Sequence, residues 1–133
     1  MMKAGLSGEI SFTVTEALTA RAVGSGTLEV LATPVMIANM EKAAWTAVAG
    51  ELPPGSGTVG TKMDVRHTSP SPLGMQVTCR AELIEEEGRR LVFRVAAYDE
   101  AGPIGEGVHE RAVIQEAKFL KKAGEKQRFS AAE

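Results

Sequence analysis

Three side chains in this 133-residue sequence carry groups that can do acid–base or nucleophilic chemistry: the Thr33 hydroxyl, the Glu41 carboxylate and the His67 imidazole. The carboxylate can attack a carbonyl or activate water, the imidazole can shuttle a proton near neutrality, and the hydroxyl can orient either of them. Each also has an ordinary reading. Thr33 stands before Pro34 and a run of good helix formers, so it suits a helix N-cap with proline at the first helical position. Glu41 sits inside an apolar run, as a satisfied or surface-reaching carboxylate or as a placed chemical group. His67 alternates with Val59, Thr61, Met63 and Val65, which makes it a core-facing histidine as readily as a functional one. Asp64, three residues before His67 on the same strand, faces the opposite way and is a poor partner for a dyad or a metal.

These residues need elements to hold them. Residues 31–50, LATPVMIANMEKAAWTAVAG, predict one helix that is apolar around most of its circumference and is therefore buried. Met36, Ile37 and Met40 are core residues by default, one of which can also line a pocket, and Trp45 packs in the core or at an interface. Gly50 and the prolines at 53–54 end the helix. Residues 9–16 alternate as a first strand. Residues 17–29, with Gly24 and Gly26, form a less regular connection suited to a flap, with an extended piece at 27–31. Strands follow at 58–68, 75–85, 89–99 and 104–115. They are separated by the SPSPLG turn at 69–74, Glu86-Glu87-Gly88 and the turn at 99–103. The last strand puts Ile104, Val108, Ala112 and Ile114 on one face and Gly105, Gly107, His109 and Arg111 on the other. Glycines inside a strand mark a bulge or a close approach. From Glu116 the chain is polar and lysine-rich and continues the strand briefly before fraying. Lys118, Lys121 and Lys122 read as a solvated tail or as phosphate contacts. One helix among antiparallel strands predicts an α+β domain with the sheet wrapped around the helix.

The bulk numbers narrow the partners. A formal charge of −2 gives no electrostatic case for nucleic acid. The single cysteine, Cys79, excludes an internal disulfide and any multi-cysteine metal site, and its place on an apolar strand face makes it an inert core residue. With no apolar run long enough to span a membrane and no secretory signal, the expectation is one soluble cytoplasmic domain over 1–133. Its core runs over about 9–118 and its polar tail over 119–133.

The order of elements, together with ATPVM at 32–36, Met40-Glu41, GTKMDVRHT at 60–68 and GVHERAVI at 107–114, resembles the hotdog fold of acyl-CoA thioesterases. The closer likeness is to the fluoroacetyl-CoA-specific thioesterases and spans about residues 9–120. What it implies is hydrolysis of a CoA thioester by Thr33, Glu41 and His67, whose spacings match that family's catalytic residues. It also implies substrate contacts from Gly60 and Arg111, an acyl pocket touched by Met36, Met40 and Val23, and a homodimer with sites at the subunit interface. Whether such dimers pair into tetramers is left open. No metal or bound cofactor is implied, since CoA is part of the substrate. The region 18–30 departs from the family pattern. It is shorter than the specialised enzyme's lid and has no aromatic residue, so acyl selectivity is expected to differ. Two other readings stand beside this one: a hotdog hydratase or dehydratase, for which no Asp/His pair beside the helix is evident, and a non-catalytic acyl-CoA-binding module.

Overall fold

The computed structural model describes residues 2–127. Five antiparallel strands form one sheet: β1 (Ser7–Thr13), β2 (Ser56–His67), β3 (Gln76–Glu87), β4 (Arg90–Asp99) and β5 (Gly102–Gln115), in the spatial order β1-β3-β4-β5-β2. Helix α1 (Ala20–Val23) belongs to the connection after β1, α2 (Thr33–Ala49) is the long helix, and α3 (Glu116–Gly124) follows β5. The α+β expectation holds, with a sheet curled around one long helix.

The core forms where α2 meets the sheet. Met36, Met40, Ala43, Ala44 and Val48 recur at helical spacing and are fully buried. They pack with Val77, Cys79, Ala81 and Leu83 of β3 and with Leu91, Phe93, Val95 and Ala97 of β4. The alternation along β3 and β4 therefore works as the sequence suggests. Small residues let α2 lie close. Gly105 of β5 faces Met36, and a Cβ there would stand 2.8 Å from the Met36 sulfur. Cys79 is buried, and burial pushes its thiol up to about 12, in line with an inert role.

Five local expectations change. The helix is not buried all round: Thr33, Ile37, Glu41 and Trp45, spaced four apart, climb the other side, and Trp45 is 45% exposed, so it is not a core residue. Ala32, not Thr33, is the N-cap; Thr33 is the first helical residue and its side chain is spent elsewhere. On β2 a bulge at Thr61 inserts one residue into the register with β5. It turns Gly60 and Thr58 inward together with Met63, Val65 and His67, so the simple alternation through Val59 and Thr61 fails. On β5 the inward row is Gly105, Gly107, His109 and Arg111, while Val108 is exposed. Finally, 116–124 is helix where a strand end and fraying tail were expected. Its alanine, leucine and lysines are good helix formers, and the Glu116 amide donates to the Gly55 carbonyl at 2.9 Å to seat its first turn. The rest of the expected tail, 128–133, lies outside the described residues.

The connection after β1 is pinned at both ends. Thr19 bridges Leu31, and the Ala20 amide donates to the Val30 carbonyl. Between these anchors residues 21–29 are exposed, including Val23. Among the described residues no helix is long and apolar enough to cross a membrane.

Candidate active site

Helix α2 carries two polar clusters along its open side. At its first turn the Thr33 Oγ1 lies 2.7 Å from Nδ1 of His67, the last residue of β2. The His67 Nε2 atom is buried with no hydrogen-bond partner among the described residues. Burial holds the imidazole below its ordinary pKa, with the nearby Ser69 backbone acting weakly the other way, so the ring is neutral at pH 7. A neutral imidazole has one N–H and one lone pair. If Nδ1 accepts from the threonine hydroxyl, Nε2 offers a proton; if Nδ1 donates, Nε2 offers a lone pair. Around the pair is a cavity of about 290 Å³ walled by Leu31, Thr68 and Ser69 and closed on one side by Ala20 and Ser25 of the flap region.

Two turns along α2, the Glu41 carboxylate reaches across to β5. Its Oε2 lies 3.4 Å from Arg111 Nη1 and 3.9 Å from His109 Nε2. Arg111 is 6% exposed and is held on three further sides. Its Nε donates to Thr58 Oγ1 at 2.8 Å, its Nη2 to the Thr58 carbonyl at 3.0 Å, and its Nη1 faces His109 Nε2 at 3.1 Å. His109, 1% exposed, faces the Lys62 carbonyl through Nδ1 at 2.8 Å. A carbonyl only accepts, so Nδ1 carries the proton and Nε2 is left to accept from Arg111. Burial, and then the Arg111 charge, depress the His109 pKa and keep the ring in that neutral form. Burial also pulls the Arg111 pKa below its usual value, while Glu41 opposes the shift. The Glu41 side chain itself is 41% exposed, so the carboxylate is fixed at one oxygen and open to solvent.

Gly60 belongs to this second cluster. A Cβ at that position would strike Glu41 Oε2 and stand 3.3 Å from His109 Cε1. Only glycine leaves the carboxylate where it is. The neighbouring bulge takes Thr61 out of the ladder, which frees backbone polar groups beside the cluster. At the start of α2, in contrast, the amides of Val35 and Met36 both donate to the Ala32 carbonyl, at 3.0 and 3.1 Å. That leaves few helix N-terminal donors for an oxyanion.

The sequence-derived residues thus fall into groups. Thr33 and His67 meet each other, and Glu41, Gly60 and Arg111 meet each other. The two groups do not meet within one chain, as eight residues of helix, roughly 12 Å at about 1.5 Å per residue, require. Met36 and Met40 lie in the core beneath the helix, and Val23 is exposed on α1. His109, which the sequence marks only as part of a solvated or interface face or as a gating or phosphate contact, joins Glu41 and Arg111 here. Its signal was present: it shares the alternating row of Gly105, Gly107 and Arg111, whose small members mark a face pressed against something. Among the described residues no group of three or more His, Cys, Asp or Glu is arranged to hold a metal ion.

The profile of the fluoroacetyl-CoA-specific thioesterase family matches residues 14–117. The chain belongs to that family. A fluoroacetyl-CoA thioesterase of Streptantibioticus cattleyicolor is 49% identical over 98 residues, covering 74% of this chain and 70% of that protein. A solved fluoroacetyl-CoA thioesterase is 41% identical and superposes with a TM-score of 0.89, over 95% of this chain and 98% of its own; a variant was solved with acetyl-CoA. A thioesterase superfamily member from Thermus thermophilus, 29% identical, superposes with a TM-score of 0.92 over 100% of this chain and 98% of its own. Family membership makes the chain a thioester hydrolase on a hotdog fold. The 14–117 match contains both polar clusters and the whole of the flap that covers the first.

Proposed function

We propose that this enzyme hydrolyses acyl-CoA thioesters: R–CO–S–CoA and water give a carboxylate, a proton and the CoA thiol. The observation that carries this reading is the Thr33–His67 hydrogen bond at the start of α2, standing at family spacing from a half-exposed Glu41. An oxygen adds to the thioester carbonyl carbon, either from the Glu41 carboxylate or from a water that it deprotonates. As the tetrahedral species collapses, the C–S bond breaks, and His67, neutral at rest, relays the proton taken from the attacking water to the departing sulfur. Where Glu41 itself attacks, water then opens the acyl–Glu41 anhydride, which restores the carboxylate and gives the proton that His67 passes to the thiolate. In this reading Thr33 holds the ring, while the Thr33 amide of one copy and the backbone freed at the Thr61 bulge of the other serve as the oxyanion donors. The chain's own side-chain and backbone groups supply these steps, and the reading calls on no metal or bound cofactor.

The reading includes a homodimer. Strand β2 is a twelve-residue edge strand, and the open side of α2 carries the exposed Trp45 and a half-buried Ile37 between its polar site groups. Pairing both with a second copy would satisfy the edge, cover the helix and bring one copy's Thr33–His67 pair toward the other's Glu41. Over the first cluster, a flap with no aromatic side chain supports acyl selectivity different from that of the specialised fluoroacetyl-CoA enzymes.

The test is thiol release from a panel of acyl-CoAs, short to long and including fluoroacetyl-CoA, with and without a chelator. Glu41→Ala and His67→Ala are run beside the native chain. Turnover unaffected by the chelator and reduced at least about 10²-fold in both folded variants is the expected result. Tight binding of an ester with no turnover of any would leave an acyl-CoA-binding module instead.

A further inference from the structure

Beneath α3 lies a cleft of about 790 Å³, separate from the two polar clusters. Lys118, Lys121 and Lys122, spaced three and four apart, project from one face of that helix into it. Arg89, from the turn between β3 and β4, lines it too. Glu125 is its carboxylate. Among the described residues none of these four cations is ion-paired to a carboxylate. The floor is apolar: Val113 and Ile114 of β5 and the ring of Phe119, which stays 42% exposed.

Four cations around an apolar floor with an open aromatic ring match an aromatic base that carries several phosphates. The cations attract and orient the phosphates, and the ring gives the base a face to stack on. The cleft also connects to the chemistry. Ser56 lines it and lines the neighbouring cleft, which passes Trp45 and Thr58 to Arg111. From Ser56, Gly60 beside Glu41 is four residues along β2, roughly 13 Å at about 3.3 Å per residue. A pantetheine arm is long enough to cover that gap.

We propose that the α3 cleft holds the 3′-phospho-ADP end of the CoA substrate, with Lys118, Lys121, Lys122 and Arg89 on the phosphates and the adenine against Phe119. This rests on the acyl-CoA reading above, and the experiment separates the two. The full chain, the triple variant Lys118→Ala/Lys121→Ala/Lys122→Ala and an equal-charge control, Lys3→Ala/Arg80→Ala/Arg94→Ala, are compared in two assays. The first gives kcat and KM for an acyl-CoA and for the same acyl group on pantetheine, which has none of these phosphates. The second measures binding of adenosine 3′,5′-bisphosphate. The expected result is a KM for the acyl-CoA raised about tenfold or more in the α3 variant alone, with kcat and the pantetheine KM unchanged, and bisphosphate binding lost in the same variant. An acyl-CoA KM equal to that of the native chain, or raised as much by the control, overturns the proposal. So does bisphosphate binding that the α3 variant retains or the native chain lacks. Absence of turnover with both esters, while bisphosphate binding depends on the α3 lysines, overturns the thioesterase reading and supports the cleft.

Discussion

Glu41 is held by what Gly60 lacks. A methyl group at residue 60 would occupy the space of the Glu41 Oε2 atom, so Gly60→Ala has to swing the carboxylate away from Arg111 and His109. A displacement of that kind costs on the order of 10²-fold in kcat. A melting temperature near that of the native chain would show that the loss is one of placement; native kcat in Gly60→Ala would show that the Glu41 position is not critical. His67 and His109 give a second prediction, about pH. Both titrate in the folded chain below their unfolded value of 6.5, because burial disfavours the imidazolium. The unfolded chain therefore binds more protons between the folded values and 6.5. Stability is complete above pH 6.5 and falls as the pH drops through that window. Thermal melts from pH 8 to 5 should show this decline, and it should be shallower in His109→Asn. An equal slope in the variant would mean that His109 contributes nothing to it.

At the scale of elements, α2 does two jobs with two stripes. The stripe through Met36, Met40, Ala44 and Val48 makes the core. The row Thr33, Ile37, Glu41 and Trp45 carries polar site groups alternating with apolar residues. Apolar side chains between functional ones suit a surface that another chain covers. Trp45→Asp puts a charge on the exposed part of that surface without touching either polar cluster's hydrogen bonds. It should convert dimers to monomers in light scattering and abolish turnover together with them. Dimers that persist, or a monomer with native kcat, would move the interface away from this helix face. Strand β2 matters for a related reason. Its bulge at Thr61 puts Gly60 and His67 on the same inward face, although their positions differ by an odd offset, which in a regular strand would face them opposite ways.

For the whole molecule, the division of the site is the governing fact. One chain holds Thr33 and His67 at one end of α2 and Glu41 with Arg111 farther along it, and a rigid helix cannot bring them together. If two copies complete each other, Thr33→Ala and Glu41→Ala proteins, each inactive alone, should regain activity when refolded together. Random pairing makes about half of the dimers mixed, each with one native site. The mixture should then reach roughly a quarter of native activity. No recovery would place every working group of a site in one subunit.

Periodicity in the sequence determined that one long helix lies on an antiparallel sheet, because burial of apolar faces imposes spacings that a linear reading can detect. Family spacing marked Thr33, Glu41 and His67, and a row of small residues on the last strand hinted at His109 and Arg111. Tertiary structure alone decided which of these groups touch. The Thr61 bulge reversed the facing of part of β2, an event set by pairing with β5 and not by any local propensity. Thr33 gave up its capping role because His67, thirty-four residues away, offered its hydroxyl a partner at 2.7 Å. The uncovered side of α2 was also invisible in the sequence, since an apolar residue reads the same whether its own sheet buries it or a second chain must.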